Sequence, residues 1–206
     1  MKLDYNSPVV LTFALVSAGV MIASNFTGGT LGQMFFATYP HSSWTDIMTY
    51  FRLFSHIFGH ASWEHLFGNL SVILLIGPLL EEKYSSQSML VMIITTAVVT
   101  AVLNNLLFTT GLMGASGIVF MMILLSSFAN LRQGYIPLTF VIVLVLYLGR
   151  EVYNSLKADN VSQFAHILGG ICGSIFGFMQ KDLGTIRGST SYPPSTDPSI
   201  KQHMLP

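Results

Sequence analysis

Residues 161–179 read VSQFAHILGGICGSIFGFM, an apolar run without a single Asp, Glu, Lys or Arg. A helix needs about 20 such residues to cross the hydrocarbon core of a bilayer. Within the run, Gly169, Gly173 and Gly177 recur every four residues. That is a small-xxx-small ridge, which lets another helix approach at backbone distance. The reading is a membrane helix built to pack closely on a neighbour. Five more uncharged apolar runs lie N-terminal to it, at 8–26, 66–80, 88–108, 113–130 and 135–149. The second reaches spanning length as Trp63 to Leu80 if Glu64 sits at the interface. Helices rather than strands are implied, because each span must satisfy its own backbone inside lipid. The first run lacks a basic leader beyond Lys2 and a cleavage site before Thr27, so it reads as a span and not as a signal peptide.

Composition agrees. Of 206 residues, 51% are hydrophobic and 9% charged, against about 25% charged in soluble domains; the mean hydropathy is +0.61. Nine basic and nine acidic residues cancel, which leaves no field to attract nucleic acid. One cysteine, Cys172, excludes an internal disulfide and a cysteine metal cage. The expected organisation is a short N-terminus (1–7), one all-α six-helix membrane domain (8–180) and a polar tail (181–206). From Gly184 the tail is rich in Ser, Thr and Pro and reads as disordered. Lys2, Lys83, Arg132, Lys181, Arg187 and Lys201 fall on one side, and Arg52, Arg150 and Lys157 on the other. The positive-inside rule then puts both termini in the cytoplasm, with half of the inner charges supplied by the tail. The long outer connection, Thr27 to Ala61, carries Trp44, Tyr50, Phe51, Phe54 and Phe58. It reads as a folded segment half-sunk in the outer leaflet. The connection between the third and fourth runs is expected to be very short, around Thr109 to Leu112.

Polar residues inside spans are expensive and by default functional. His65 and Asn69, four apart, share one face of the second span. Ser116 opens the fourth within Gly114-Ala115-Ser116-Gly117, and His166 lies near the start of the sixth. These three spans run from outside to inside. All four side chains therefore fall in one layer about 5–10 Å below the outer boundary, at about 1.5 Å per residue. Close packing of the fourth and sixth helices would bring Ser116 to His166 as a nucleophile–base pair. The Ser116 N–H, His65 and Asn69 could stabilise an oxyanion. No Asp or Glu lies in a span to complete a triad, so a dyad is expected. No HExxH and no intramembrane aspartate is present, which excludes the zinc and aspartyl intramembrane protease readings. Gly114-Ala115-Ser116-Gly117-Ile118 is not the G-x-S-x-G elbow of soluble hydrolases.

Over about residues 50–180, from the loop after the first span to the end of the sixth, the chain resembles the rhomboid intramembrane serine proteases. The resemblance is carried by HIFGHASWEHLFGN (His56, His60, His65, Asn69), by Gly77 with Glu81-Glu82-Lys83-Tyr84, by Gly114, Ser116 and Gly117, and by Ala165, His166, Gly169 and Gly173. It implies a six-transmembrane-helix rhomboid-like bundle, with Ser116 on a shortened central helix and a membrane-embedded loop between helices 1 and 2. It implies nucleophile Ser116, base His166 and oxyanion donors His65 and Asn69. The substrates would be single-span or other membrane proteins in the lipid bilayer, cut where small and helix-weakening residues occur. It also implies a hydrogen-bond knot at the inner surface around Glu81. Phe51 stands where the family commonly has Trp. Phe120 stands where bacterial members often have a Tyr that stacks on the catalytic histidine. The minimal form suggests a prokaryotic plasma membrane.

Other readings stand beside this one. Ser71, Ser126 and Ser174 are expected to bond back onto their own helices. His56 and His60 are expected to brace the loop, and no cofactor or metal is expected. A metal-dependent enzyme using His56, His60 and His65 is one rival. A rhomboid-like adaptor that binds transmembrane helices without cutting them is the other. Water access is expected through the fifth run and the Gly149-to-Asn160 loop.

Overall fold

A proline opens the first helix, where its missing N–H costs nothing. This helix, α1 (Pro8–Phe26), has no side-chain cap of its own from Ser7. Its cap comes from the far end of α4 (Trp63–Tyr84). The Glu81 carboxylate, only 3% exposed, accepts the Val9 and Val10 N–H groups at 3.0 and 2.9 Å. A negative group is favourable at that end of a helix dipole. The contact is a hydrogen-bond knot around Glu81, as the resemblance implied, and it sets the start of α1 level with the end of α4. Beside it, a side chain at Gly77 would begin 2.9 Å from Val10 Cγ2, so the two helices lie close.

The computed structural model describes residues 4–128, the helical residues 138, 141, 142, 145 and 146, and the backbone of 160–188 with the side chains of 164–179. Seven helices and no strand occur among the described residues. Three of them, α1, α4 and α5 (Ser86–Leu107), are long and apolar enough to cross a membrane. A single residue, Ser85, joins α4 to α5 at φ 76°, and its hydroxyl caps α5 by accepting the Ser88 N–H at 3.4 Å. The helix at the centre, α6 (Ser116–Phe128), is apolar all round, and Ile118 through Leu125 are all buried. Its 13 residues make about 20 Å of helix, at about 1.5 Å per residue. The last, α7, runs Asn160–Gly188.

These limits differ from the sequence reading in three places. The fourth run, taken as 113–130, becomes helical only at Ser116, because Gly114 sits at φ 136° and turns the chain. The connection before it therefore spans Phe108 to Ala115 rather than Thr109 to Leu112. Helix α7 continues to Gly188, past both the boundary at 180 and the tail start at Gly184. The fifth run at 135–149 lies outside the described residues, apart from five helical positions, as do the Gly149-to-Asn160 loop and residues 189–206.

The connection between α1 and α4 is folded. It contains α2 (Thr30–Phe36), α3 (Ile47–Ser55) and a 3-10 turn (His56–Phe58). Its backbone polar groups are met locally. Arg52 donates from Nε and Nη2 to the Met34 carbonyl at 2.9 and 2.7 Å, with its guanidinium over the Tyr39 ring. The Ser55 hydroxyl donates to the Phe35 carbonyl at 2.6 Å. Thr38 docks the connection onto the turn before α6. Its N–H donates to the Leu112 carbonyl, and its hydroxyl accepts the Leu112 N–H at 2.7 Å. Trp44, Tyr50, Phe51 and Phe54 remain exposed.

Replacing Glu81 by Ala leaves one buried and one part-buried N–H without an acceptor, which costs about 2–3 kcal/mol. Thermal unfolding in detergent should show a clearly lower Tm, with Glu81→Gln recovering part of the loss. An unchanged Tm for Glu81→Ala would mean that the contact does not hold α1.

Candidate active site

Helices α6 and α7 meet through glycine. A methyl group added at Gly169 would overlap the Gly117 carbonyl, and one at Gly173 would overlap the Met121 carbonyl. At Gly177 it would begin 2.5 Å from the Phe128 ring. The ridge read from 161–179 is thus the seam on which α7 lies against α6. Ser116, the first residue of α6, stands at the head of that seam. His166, three residues before Gly169, is half-buried. Its ring lies flat on Phe120, with centroids 4.3 Å apart and planes 6° from parallel. Phenylalanine at this position keeps a stacking partner for the imidazole.

The turn before Ser116 is held by histidines. Gly114 needs its left-handed φ of 136°, and a side chain there would begin 2.6 Å from His65 Cε1. The His65 ring therefore rests against the turn. The Gly114 N–H donates to the His56 carbonyl at 3.0 Å, and the Ala115 N–H donates to His60 Nε2 at 3.4 Å. His60 Nδ1–H in turn donates to the Phe58 carbonyl at 3.3 Å, and its ring meets His65 edge-on at 5.1 Å. His56 Nδ1–H donates to the Arg52 carbonyl at 3.1 Å. Both nitrogens of His60 are engaged, which leaves it no lone pair for a metal. Among the described residues, no three His, Cys, Asp or Glu side chains are grouped to hold one.

Burial pushes the His56 imidazole down to about 4. Burial, and then the nearby His65, push His60 down to about 4 as well. Both are neutral at pH 7, as an accepting Nε2 requires.

A cavity of about 280 Å³ opens at the turn, and its wall includes His65, Thr100, Gly114, Ser116, Gly117 and Ala165. Of the four residues singled out in the sequence, Ser116 and His65 line it. His166 adjoins the wall residue Ala165, and it is near enough to His65 to interact electrostatically. Asn69 lies one turn down α4, only 7% exposed. Its amide Nδ2 has no hydrogen-bond partner among the described residues. The other serines behave as expected. Ser71, Ser126 and Ser174 donate back to Phe67, Ile123 and Gly170 at 2.6, 2.7 and 2.9 Å.

Two contributors escaped the sequence reading. Thr100 lines the cavity, and Asn104 Nδ2 supports the turn by donating to the Thr110 carbonyl at 2.8 Å. A pair of asparagines, Asn104-Asn105, inside an apolar run was the available signal. The sequence reads His56 and His60 as braces of the loop, and they also grip the turn that carries Ser116.

Apolar helices around a short central one, with polar side chains gathered at one end, define a polytopic membrane protein. The Rhomboid domain family matches residues 47–182, about two thirds of the chain, and the protein belongs to the rhomboid family. Members of that family are typically serine intramembrane proteases that act on membrane proteins within the bilayer. A comparison with curated proteins yields no significant match.

The two depressed histidines carry a pH dependence. In the unfolded chain they take up protons near 6.5, but in the folded protein only near 4. Between those values the unfolded state binds more protons, so stability falls as pH falls through the window. From these groups Tm should be flat above pH 7 and decline from about pH 6.5 toward 4. His60→Gln, which keeps an acceptor but cannot titrate, should make the decline shallower. An identical slope would exclude His60 as a contributor.

Proposed function

We propose that this protein is an intramembrane serine endopeptidase that cuts transmembrane segments of membrane proteins near the outer membrane face. In this reading the chain spans the membrane six times, with both termini cytoplasmic in a prokaryotic plasma membrane. The folded connection between α1 and α4 sits in the outer leaflet. The observation that carries the proposal is the glycine seam. It sets Ser116, in the first turn of α6, beside the helix that bears a Phe120-stacked His166.

The chemistry runs as acyl transfer. Ser116 Oγ attacks the scissile carbonyl while His166 takes its proton. The tetrahedral oxyanion is met by the Ser116 N–H, which has no intrahelical partner in a first turn, and by His65 and Asn69. Collapse breaks the C–N bond, His166 returns the proton to the leaving amine, and an ester to Ser116 remains. A water then gives its proton to His166, attacks the ester and releases the new carboxylate, and the proton goes back to Ser116. The unpartnered, buried Asn69 amide suits a donor reserved for a charge that exists only in the transition state.

Ser116→Ala should abolish cleavage of a single-span reporter and labelling by a fluorophosphonate. His166→Ala should be equally inactive, and the double variant no worse than either, because the pair works as a unit. Cleavage by a folded Ser116→Ala protein would sink the proposal.

Asn69→Ala should lower kcat by roughly 10²–10³-fold, with a smaller change in KM. In a non-catalytic adaptor the same change would alter affinity or folding alone. Kinetics in liposomes, with Tm recorded alongside, separate the two.

A further inference from the structure

We infer that His60 is a positioning residue: by holding the Gly114–Ala115 peptide, it sets the direction of the next N–H, that of Ser116, and steadies His65 beside it. The inference rests on the protease reading above.

The turn needs such a holder. Gly114 has the widest backbone freedom of any residue type, and it immediately precedes the peptide whose orientation matters. Two successive N–H groups are taken up, that of Gly114 by the His56 carbonyl and that of Ala115 by His60 Nε2. The N–H groups that follow belong to the first turn of α6, which has no intrahelical acceptor for them. Occupying the first two leaves the Ser116 N–H as the next donor in line at the cavity wall. With the Ala115 bond gone, the peptide could rotate about Gly114 and carry the Ser116 N–H with it.

His60 is itself fixed. It is 5% exposed, its Nδ1–H is committed to the Phe58 carbonyl, and its ring edge meets His65 at 5.1 Å. One imidazole therefore touches both the turn that carries Ser116 and a proposed oxyanion donor, while lying outside the residues that line the cavity. What it supplies is direction: the bond to Ala115 is long, at 3.4 Å, and small displacements at a reacting centre are costly in rate. The required feature is a ring nitrogen without a proton, facing Ala115. Phenylalanine matches the shape and lacks the acceptor, whereas glutamine offers a carbonyl oxygen.

The experiment compares wild type, His60→Phe and His60→Gln in liposomes, with kcat and KM on a single-span reporter, Tm, and amide hydrogen exchange across residues 113–118. For folded His60→Phe the expected result is a kcat loss on the order of 10²-fold with KM little changed, and faster exchange at Ala115. His60→Gln should recover most of both. A folded His60→Phe protein with wild-type kcat, or a Gln variant as impaired as Phe, would overturn the inference. So would a loss confined to KM. Imidazole ¹⁵N shifts of wild type need no variant: His60 Nε2 should be unprotonated, and a proton on Nε2 would overturn the inference even if His60→Phe fails to fold. Absence of Ser116-dependent cleavage in wild type would instead remove the protease reading, and Ala115 exchange and the ¹⁵N shifts would still decide the contact.

Discussion

The backbone-to-backbone contact between α6 and α7 is the constraint from which the rest follows. Three glycines on one helix face remove every side chain that could keep the two axes apart, and the Gly117 and Met121 carbonyls fill the space. Inside a bilayer there is little hydrophobic gain in joining two apolar helices, so van der Waals contact over such a seam supplies the association. The candidate site at the head of the seam inherits its position from it: Ser116 precedes Gly117 by one residue, and His166 precedes Gly169 by three. Phe120, facing the imidazole from α6, fixes the rotation of the ring.

Around that seam the chain solves a second problem, which is to satisfy the backbone of an irregular turn. The turn from Phe108 to Ala115 has no regular structure, yet its amides and carbonyls find partners on two other segments. Thr38 takes the Leu112 pair, Asn104 takes the Thr110 carbonyl, and His56 and His60 take two N–H groups. The partners come from the connection after α1 and from α5, so the turn is satisfied only with both in place. Asn69 is one of a few buried side chains left with an unmet polar atom, its amide nitrogen finding no partner among the described residues. An unmet donor is a cost to folding, and in the protease reading that cost is what readies the site for a developing negative charge.

Much of this was legible in residue order. Uncharged runs located α1, α4 and α5 to within a few residues, and the four-residue glycine period identified the closest helix contact. Aromatic density marked the folded connection. Parity puts Ser116, His65, Asn69 and His166 in one layer, and of these Ser116 and His65 line one cavity. What stayed hidden depends on three-dimensional partners. The start of α6 was read three residues early because hydropathy cannot register a positive φ at Gly114. The grip of His60 on Ala115 joins residues 55 apart, and nothing local in HIFGHASWEH foretells it. Asn104 and Asn105 were absorbed into an apolar stretch because its average hydropathy outweighed them.

The Glu81 cap also has a bearing on biogenesis. Val9 and Glu81 are 72 positions apart. At about 5–20 residues per second of synthesis, the acceptor follows the helix out of the ribosome by roughly 4–14 s. During that interval α1 exists with its leading amides facing the aqueous boundary, and Pro8 reduces their number by one. The helix can form early, but its first free N–H groups meet their acceptor only when α4 is complete. A nascent chain stalled before Glu81 has the Phe13–Phe58 and Ser24–Gly32 contacts of α1 within reach but lacks the carboxylate that caps it, and completion of α4 supplies that cap.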